Sequence, residues 1–185
     1  MSESRDNVIQ KNQYADYSTL KSNLNEINRE IIDSRKKSKK TIKNEIVQSF
    51  EEVQIANFFY LHNVEYEYEP TYPYHIPGYN KVYTPDFCIF NHGEKIYLEH
   101  FGITESGENN RYTKLELMKY QGNMASKILL HQEHHTKLLI TYSSYNDGMP
   151  LLHHLKKILE DEKIPLTPRS EQEVFDKLKS LEGNK

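Results

Sequence analysis

The stretch YTPDFCIFNHGEKIYLEHF, residues 83–101, is the most informative part of the chain. Two runs rich in aromatic and β-branched residues flank the polar segment at 91–94, a pattern typical of a β-hairpin with a tight turn. If the turn has two residues, the register pairs Asp86 with Glu99. Directly opposed residues of an antiparallel pair share a face, with Cβ atoms about 5 Å apart. The sequence therefore predicts two neighbouring carboxylates on one face of a sheet.

Two carboxylates this close repel each other, so one must bind a proton or a divalent cation must lie between them. A metal site for phosphate chemistry is one interpretation of Asp86 and Glu99. The other is a solvated face of the hairpin, and a three-residue turn would shift the register by one residue and weaken the metal interpretation. Pro85 favours the metal site, because it cannot donate to a central ladder and so places Asp86 near a strand start at the sheet rim.

The segments before and after this hairpin in the sequence have the periodicity of amphipathic helices. Residues 49–62 carry a wide apolar face, and Ser49 with Glu52 forms the pattern of a capping box. The alternative is that Glu52 points into the acidic site. Residues 111–135 predict a long helix, and residues 137–143 an apolar strand suited to a sheet centre. Further helices are predicted at 17–43, 150–161 and 170–181.

The order of helix with glutamate, strand, Pro-Asp strand, Glu strand and helix resembles the PD-(D/E)xK nuclease superfamily. More narrowly, four segments are similar to the nuclease domain attached to some bacterial UvrD-type helicases. These segments are SFEEVQIANF at 49–58, EYEYE at 65–69, YTPDF at 83–87 and YLEHFGI at 97–103. The resemblance covers roughly residues 45 to 145.

The resemblance implies an α/β, restriction-endonuclease-like fold with a central mixed β-sheet flanked by helices. It places a nuclease domain at residues 45–185, after an N-terminal helical and basic extension at 1–44. It also implies Mg²⁺- or Mn²⁺-dependent deoxyribonuclease activity. The metal would be held by Asp86, Glu99 and the backbone carbonyl of His100, while Glu52 would bind it directly or through water.

The chain departs from the family pattern after Glu99, because Phe101 stands where a lysine belongs. The superfamily is known to move this lysine to the following helix. There, Asn123, Lys127 and His131 recur at intervals of four and form a polar stripe. We predict Lys127 as the relocated catalytic lysine, with Gln121, Asn123 and His131 lining the site. A surface lysine on an amphipathic helix is the alternative.

The net charge of −3 is unevenly distributed. Residues 44–110 hold 2 basic and 11 acidic side chains, whereas residues 1–43 hold 10 and 6. An acidic middle third is compatible with a cation site. The dense basic cluster that could contact DNA phosphates comprises Arg35, Lys36, Lys37, Lys39, Lys40 and Lys43. A solvated helical linker is the alternative for this cluster.

A Gly-x-x-x-x-Gly-Lys-Ser/Thr motif is absent from the sequence, so this chain is not itself a helicase. We expect either a domain of a larger helicase-nuclease or a free-standing nuclease, with DNA and a helicase domain, in the same or another chain, as partners. The alternative is a catalytically silent nucleic-acid or partner-binding module on the same fold. Phe101 and the net negative charge both favour that alternative.

The single cysteine, Cys88, excludes an internal disulfide and fits a reducing cytoplasm. No run approaches the roughly 18 apolar residues of a membrane span, and the N-terminus lacks the apolar stretch of a signal peptide. We therefore predict a soluble, cytoplasmic protein without a membrane partner.

Overall fold

The computed structural model describes the backbone of residues 3–183 and the side chains of residues 20–183. Within this range the chain forms helices and strands in an α/β arrangement. In chain order they are α1 (Glu3–Lys37), α2 (Phe50–Leu61), β1 (Glu65–Tyr68), β2 (Phe87–Asn91), β3 (Glu94–Thr104), α3 (Lys114–Glu133), β4 (Lys137–Ser144), α4 (Leu151–Asp161) and α5 (Glu171–Glu182).

The four strands form one mixed sheet in the order β1-β2-β3-β4. The first three strands pair antiparallel, whereas β4 is parallel to β3. A parallel pair needs a long crossover connection, and α3 supplies it. The predicted α/β class, with a mixed sheet flanked by helices and a helical N-terminal part, is confirmed.

The two faces of the sheet bury different side chains. The face covered by α2 and α4, called here the α2/α4 face, packs aliphatic and phenyl groups such as Phe59, Phe87, Leu98 and Leu155. The opposite face, called here the α3 face, carries a smaller cluster that is rich in tyrosine. Its buried members are Tyr72, Tyr83, Cys88, Tyr97 and Leu130.

The strand and helix boundaries differ slightly from the predicted ones. Strand β2 begins at Phe87 rather than at residue 83, which agrees with the inability of Pro85 to donate to a ladder. Helix α3 begins at Lys114, because Thr113 and Glu116 form a complete capping box there. Helix α1 begins at Glu3, earlier than the pattern at 17–43 predicts, and ends at Lys37.

The chain divides into two compact units. One extends through Val53 from the N-terminal part and includes the segment from Arg169 onward; the other is Gln54–Pro168. This division differs from the predicted boundary between residues 44 and 45, because α1 packs against α5 within the first unit. There the Asn28 amide donates to the backbone carbonyl of Glu171 at 2.9 Å and to its carboxylate at 2.7 Å.

Among the described residues, none of the helices combines the length and the apolar composition needed to cross a bilayer.

Candidate functional site

The β2–β3 hairpin brings the two predicted acids together. Its ladder pairs Asn91 with Glu94 and Phe87 with Leu98, which leaves a two-residue turn. His92 and Gly93 both have positive φ values, 48° and 82°, as a tight type I′ turn requires. The predicted register is confirmed. Continued by one residue, it sets Asp86 opposite Glu99 on the α3 face.

Asp86 is fixed at the rim of the sheet by its own backbone and side chain. Its backbone carbonyl accepts from the Glu69 N–H at 2.9 Å, just beyond the β1–β2 ladder. Its Oδ2 accepts from the backbone N–H of His100 at 2.7 Å. The Asp86 carboxylate therefore binds the β3 backbone just beyond the last ladder pair, Phe87 with Leu98.

The environment of Asp86 favours its protonated form. Burial and the charge of Glu99 raise the pKa of Asp86 to about 7, against the bond from the His100 N–H, which lowers it. A hydrogen bond between the two carboxyl groups raises this pKa further, and the charge of Lys127 lowers it. At neutral pH the Asp86 carboxyl group is therefore protonated in a substantial fraction of molecules.

Glu99 is almost fully buried, with 1% of its surface exposed, and both of its oxygens accept hydrogen bonds. The Tyr83 hydroxyl donates to Oε1 at 2.5 Å. The Lys127 ammonium donates to Oε2 at 3.3 Å. Because each carboxylate oxygen can accept a second bond, these contacts leave acceptor capacity on both atoms.

Lys127 reaches the acid pair from α3. Its side chain is 29% exposed, and its Nζ lies 5.6 Å from the centroid of the Tyr83 ring. Phe101, at the position of the missing lysine, is buried, and its ring centroid lies 6.5 Å from that of Tyr120. An ammonium group therefore stands beside Glu99 although the residue at 101 is apolar. Whether Lys127 acts in catalysis stays a prediction.

His131 lies one helical turn beyond Lys127 and is buried in the tyrosine cluster. Its Nε2 is 3.0 Å from the Tyr83 hydroxyl, and its Nδ1 is 2.7 Å from Oγ1 of Thr136. Burial, followed by the charge of Lys127, lowers the pKa of His131 to about 4. The imidazole is therefore neutral at physiological pH.

His100 takes part in the site through its backbone. In a strand the N–H and C=O of one residue point to the same edge, so its carbonyl is directed to the edge where Asp86 lies. Its side chain lies on the α2/α4 face, where Nδ1 is 2.9 Å from Oγ1 of Thr141. Only the predicted carbonyl, and not the imidazole, is oriented toward the acids.

Three predicted site residues have other surroundings. Gln121 lies about 240° around α3 from Lys127, so the two side chains leave the helix on different sides. Gln121 is exposed, and its amide donates to the Gly107 carbonyl at 2.8 Å. Asn123 is exposed one turn before Lys127. Glu52 belongs to the first unit and caps α2: its Oε2 accepts from the N–H groups of Gln48 and Ser49 at 2.8 and 3.0 Å. A role for Glu52 in the site stays a prediction.

Two tyrosines near the acids were not predicted. Tyr83 contacts Glu99 directly, and no spacing in the sequence indicates this contact, because residues three apart in a strand face opposite sides. Tyr120 accepts from the Gly102 N–H at 2.9 Å. Burial raises the pKa of Tyr120, and the charges of Asp86 and Glu99 are among the smaller causes that raise it further.

The basic cluster after α1 belongs to the first unit. Arg35 donates to the Thr41 carbonyl at 2.9 Å and to Asn44 Oδ1 at 2.8 Å, so its guanidinium closes the turn at the end of the helix. The Lys39 ammonium lies 5.8 Å from the Phe50 ring centroid. Among the cluster's side chains, the exposed ones are Lys37, Lys40 and Lys43.

Metal-binding capacity at the acid pair is limited to oxygen donors. Among the residues that the structure describes, no group of three or more His, Cys, Asp or Glu side chains could hold a metal ion. The side chains available at this site are the two carboxylates of Asp86 and Glu99. A metal bound here would complete its shell with backbone carbonyls, water and substrate.

Comparisons of the chain with protein-family models, with curated proteins and with solved structures returned no match.

Proposed function

We propose that this chain is a metal-dependent DNA nuclease with a restriction-endonuclease-like fold, which hydrolyses phosphodiester bonds with Mg²⁺ or Mn²⁺. The observation that carries the proposal is the meeting of Asp86, Glu99 and Lys127 on one face at the sheet rim. Two carboxylates and an ammonium at such a rim are the groups that phosphodiester hydrolysis needs.

The donor set fits a hard divalent cation. Mg²⁺ is commonly held by one or two carboxylates, with water and substrate phosphate completing its shell. Asp86, Glu99 and the His100 carbonyl would hold it here. Burial and the charge of Glu99 disfavour the ionised form of Asp86 and raise its pKa, and a bound cation would offset this effect. When bound, the metal would polarise the scissile phosphate and lower the pKa of a coordinated water.

The chain's own groups would share the remaining work. Lys127, which already donates to Glu99 Oε2, would orient the attacking water or neutralise charge that grows on the phosphoryl oxygens. The His100 N–H fixes the direction of the Asp86 carboxylate. Glu99 lies in β3 and Asp86 directly precedes β2, so the paired strands hold the two carboxylates close to each other.

The order of elements supports the restriction-endonuclease-like part of the proposal. An antiparallel hairpin bearing both acids is followed by a helix and by a strand parallel to the second hairpin strand. A lysine on that helix beside the glutamate agrees with the relocation of this lysine that is known in the PD-(D/E)xK superfamily. On this proposal the partners are DNA and a helicase domain, and the exposed lysines 37, 40 and 43 contribute sequence-independent phosphate contacts.

The test is incubation of the purified chain with plasmid, single-stranded and branched DNA in Mg²⁺, Mn²⁺ or chelator. We expect cleavage in at least one metal, loss of cleavage in chelator, and loss of cleavage in Asp86→Ala. The matched control, Asp161→Ala, removes an exposed aspartate at the end of α4 and should cleave as the wild type does.

Equal cleavage by the wild type and Asp86→Ala, with contaminating nuclease excluded, would overturn the proposal. Metal-independent DNA binding without cleavage of any substrate would instead support a catalytically silent binding module on the same fold.

A further inference from the structure

A continuous chain of side-chain hydrogen bonds leads from the interior of the α3 face to Glu99. Tyr72 is linked to Thr136 at 2.6 Å, Thr136 to His131 Nδ1 at 2.7 Å, and His131 Nε2 to Tyr83 at 3.0 Å. The last link is the 2.5 Å bond from Tyr83 to Glu99 Oε1. Apart from Glu99, the proposed chemistry assigns no task to these side chains.

The donor and the acceptor of each hydrogen bond in this series can be assigned by starting from its last acceptor, Glu99. A carboxylate only accepts, so the single proton of the Tyr83 hydroxyl is committed to Glu99 Oε1. The Tyr83 oxygen must then accept from His131, which requires the tautomer protonated at Nε2. The Nδ1 atom of that tautomer is an acceptor at 2.7 Å, so the single Thr136 proton goes to it rather than to the His131 carbonyl, which lies farther away at 3.4 Å. Tyr72 then donates to Thr136.

We propose that Tyr83 and His131 are positioning residues for Glu99: the Nε2–H tautomer of His131 holds the Tyr83 hydroxyl so that it binds Oε1 and leaves Oε2 to Lys127 and the metal. This inference rests on the proposed function for its metal, but the bond directions do not depend on it. Neither residue touches the reacting atoms, and each acts through the orientation of the Glu99 carboxylate.

Burial and local charge support these protonation states. The Tyr83 hydroxyl is buried and donates to Glu99 Oε1 at 2.5 Å. The pKa of His131 is lowered to about 4, so the ring has one proton to place. The ring of Tyr72 lies 4.6 Å from that of His131 and holds the imidazole from one side.

The bond directions can be tested by NMR without any metal. Long-range ¹⁵N–¹H spectra at pH 7 distinguish a histidine ring protonated at Nε2 from one protonated at Nδ1. We expect the Nε2–H pattern for His131 in the wild type. A dominant Nδ1–H pattern would mean that the hydrogen bonds run in the opposite direction, and it would overturn the proposal.

The positioning role is tested by metal binding, with Mn²⁺ alone as the probe. Tyr83→Phe removes one hydroxyl from the chain, and we expect Mn²⁺ affinity to fall by about 10- to 100-fold, the usual effect of losing a group that orients a ligand. The matched control is Tyr97→Phe. Tyr97 is another buried tyrosine whose ring lies 5.2 Å from that of His131, and its variant should bind Mn²⁺ as the wild type does.

Rescue by a conservative change separates positioning from packing. His131→Gln can keep a donor near the place of Nε2, whereas His131→Leu keeps the volume and loses the donor. We expect His131→Gln to retain most of the wild-type affinity and His131→Leu to resemble Tyr83→Phe. Equal affinity in folded Tyr83→Phe and Tyr97→Phe, or equal loss in both His131 variants, would overturn the positioning role.

These outcomes are distinct from a failure of the proposed function. If the wild type neither binds Mn²⁺ nor cleaves DNA, the nuclease proposal fails. The orientation of Glu99 by Tyr83 and His131 is then supported or overturned by the ring-nitrogen spectra of the wild type alone.

Discussion

The two faces of the sheet use the same strands for different purposes. On the α2/α4 face, side chains such as Phe87, Leu98 and Leu155 are fully buried and make apolar contacts. On the α3 face, Glu99 and His131 are equally buried, but Glu99 accepts from a hydroxyl and an ammonium, and the His131 ring is hydrogen-bonded to two hydroxyls. Alternate residues of β3 thus serve a core on one side and a polar site on the other.

The difference shows how a small sheet can carry buried charge without losing its fold. Burial of an unpaired carboxylate would cost several kcal/mol, but Glu99 accepts from a hydroxyl and an ammonium. Apolar packing on the opposite face supplies stability that does not depend on these polar contacts. Substitutions on the α3 face should therefore change chemistry first, and substitutions on the α2/α4 face should change stability first.

The largest expected effect is the loss of activity in Glu99→Gln. The amide can still accept from Tyr83 but carries no charge, so we expect DNA cleavage in Mg²⁺ to fall by about a thousandfold or more, about 4 kcal/mol. Circular dichroism should show an intact fold. Glu67→Gln, an exposed position on β1, is the control and should cleave normally. Unfolding of Glu99→Gln would contradict the expectation that substitutions on the α3 face change chemistry before stability.

The complementary change on the α2/α4 face is Leu155→Ala. Leu155 is fully buried in the apolar cluster, so the cavity should lower the free energy of unfolding by about 3 kcal/mol. Chemical denaturation measures this change. Cleavage per folded molecule should stay at the wild-type level, and a large loss of that rate would show that the two faces are coupled.

Lys127→Met tests the ammonium that stands beside Glu99. The methionine keeps much of the aliphatic length, so the expected loss is in turnover, about a hundredfold or about 3 kcal/mol of transition-state stabilisation. Mn²⁺ affinity, measured by calorimetry, should be largely kept. Lys119→Met, an exposed position on the same helix, is the control. If the two variants cleave DNA equally well, Lys127 has no catalytic role.

Two groups on the α3 face should give opposing pH dependences of stability. The pKa of Asp86 is raised to about 7, so its contribution is present below pH 4 and is lost as the pH rises through 7. The pKa of His131 is lowered to about 4, so its contribution is present above pH 6.5 and is lost as the pH falls toward 4. Between pH 5 and 8 the two terms partly cancel.

The pH dependence that each group contributes to stability can be measured alone in a variant that lacks the other group. Asp86→Asn should lose stability as the pH falls from 8 to 5, whereas His131→Gln should lose stability as the pH rises over the same range. Each change should be about 2 kcal/mol, measured by urea denaturation. Slopes of the same sign in both variants would contradict the protonation states described for this face.

The smallest expected effect lies outside both faces, in the exposed lysines of the first unit. Replacing Lys37, Lys40 and Lys43 with Gln should flatten the salt dependence of duplex binding by about 0.9 in log–log slope for each lost phosphate contact. Arg35 is left in place because it holds the Thr41 carbonyl. An unchanged slope would show that these lysines are solvated and do not contact DNA phosphates. The control set of exposed lysines in the other unit is Lys156, Lys157 and Lys163.

The backbone of the site could be predicted from the sequence, because short-range signals determine it. Gly93 and the polar residues around it indicate a two-residue turn, and the turn determines which residues face each other. Pro85 marks where ladder pairing begins. Spacing of four residues indicated that Lys127 and His131 share a helix face, and both contact the polar cluster.

The polar contacts around the acids could not be predicted, because they join residues far apart in sequence. Tyr83 precedes β2, and nothing in its neighbours indicates that its hydroxyl turns toward Glu99. Thr136 follows α3, and its bonds to Tyr72 and His131 depend on tertiary packing. Asn123 shows the limit of helical spacing: it repeats the Lys127 position one turn earlier but is exposed.

The His92-Gly93 turn makes the interval between the two acids a fixed length. With this turn retained, replacing a residue within either strand leaves Asp86 and Glu99 opposed, whereas inserting or deleting one residue moves one acid to the other side of the sheet. A related chain could therefore keep every acid, tyrosine and lysine and still lack the site. In an alignment of such chains, a single gap between the two acids would carry more information about activity than most substitutions.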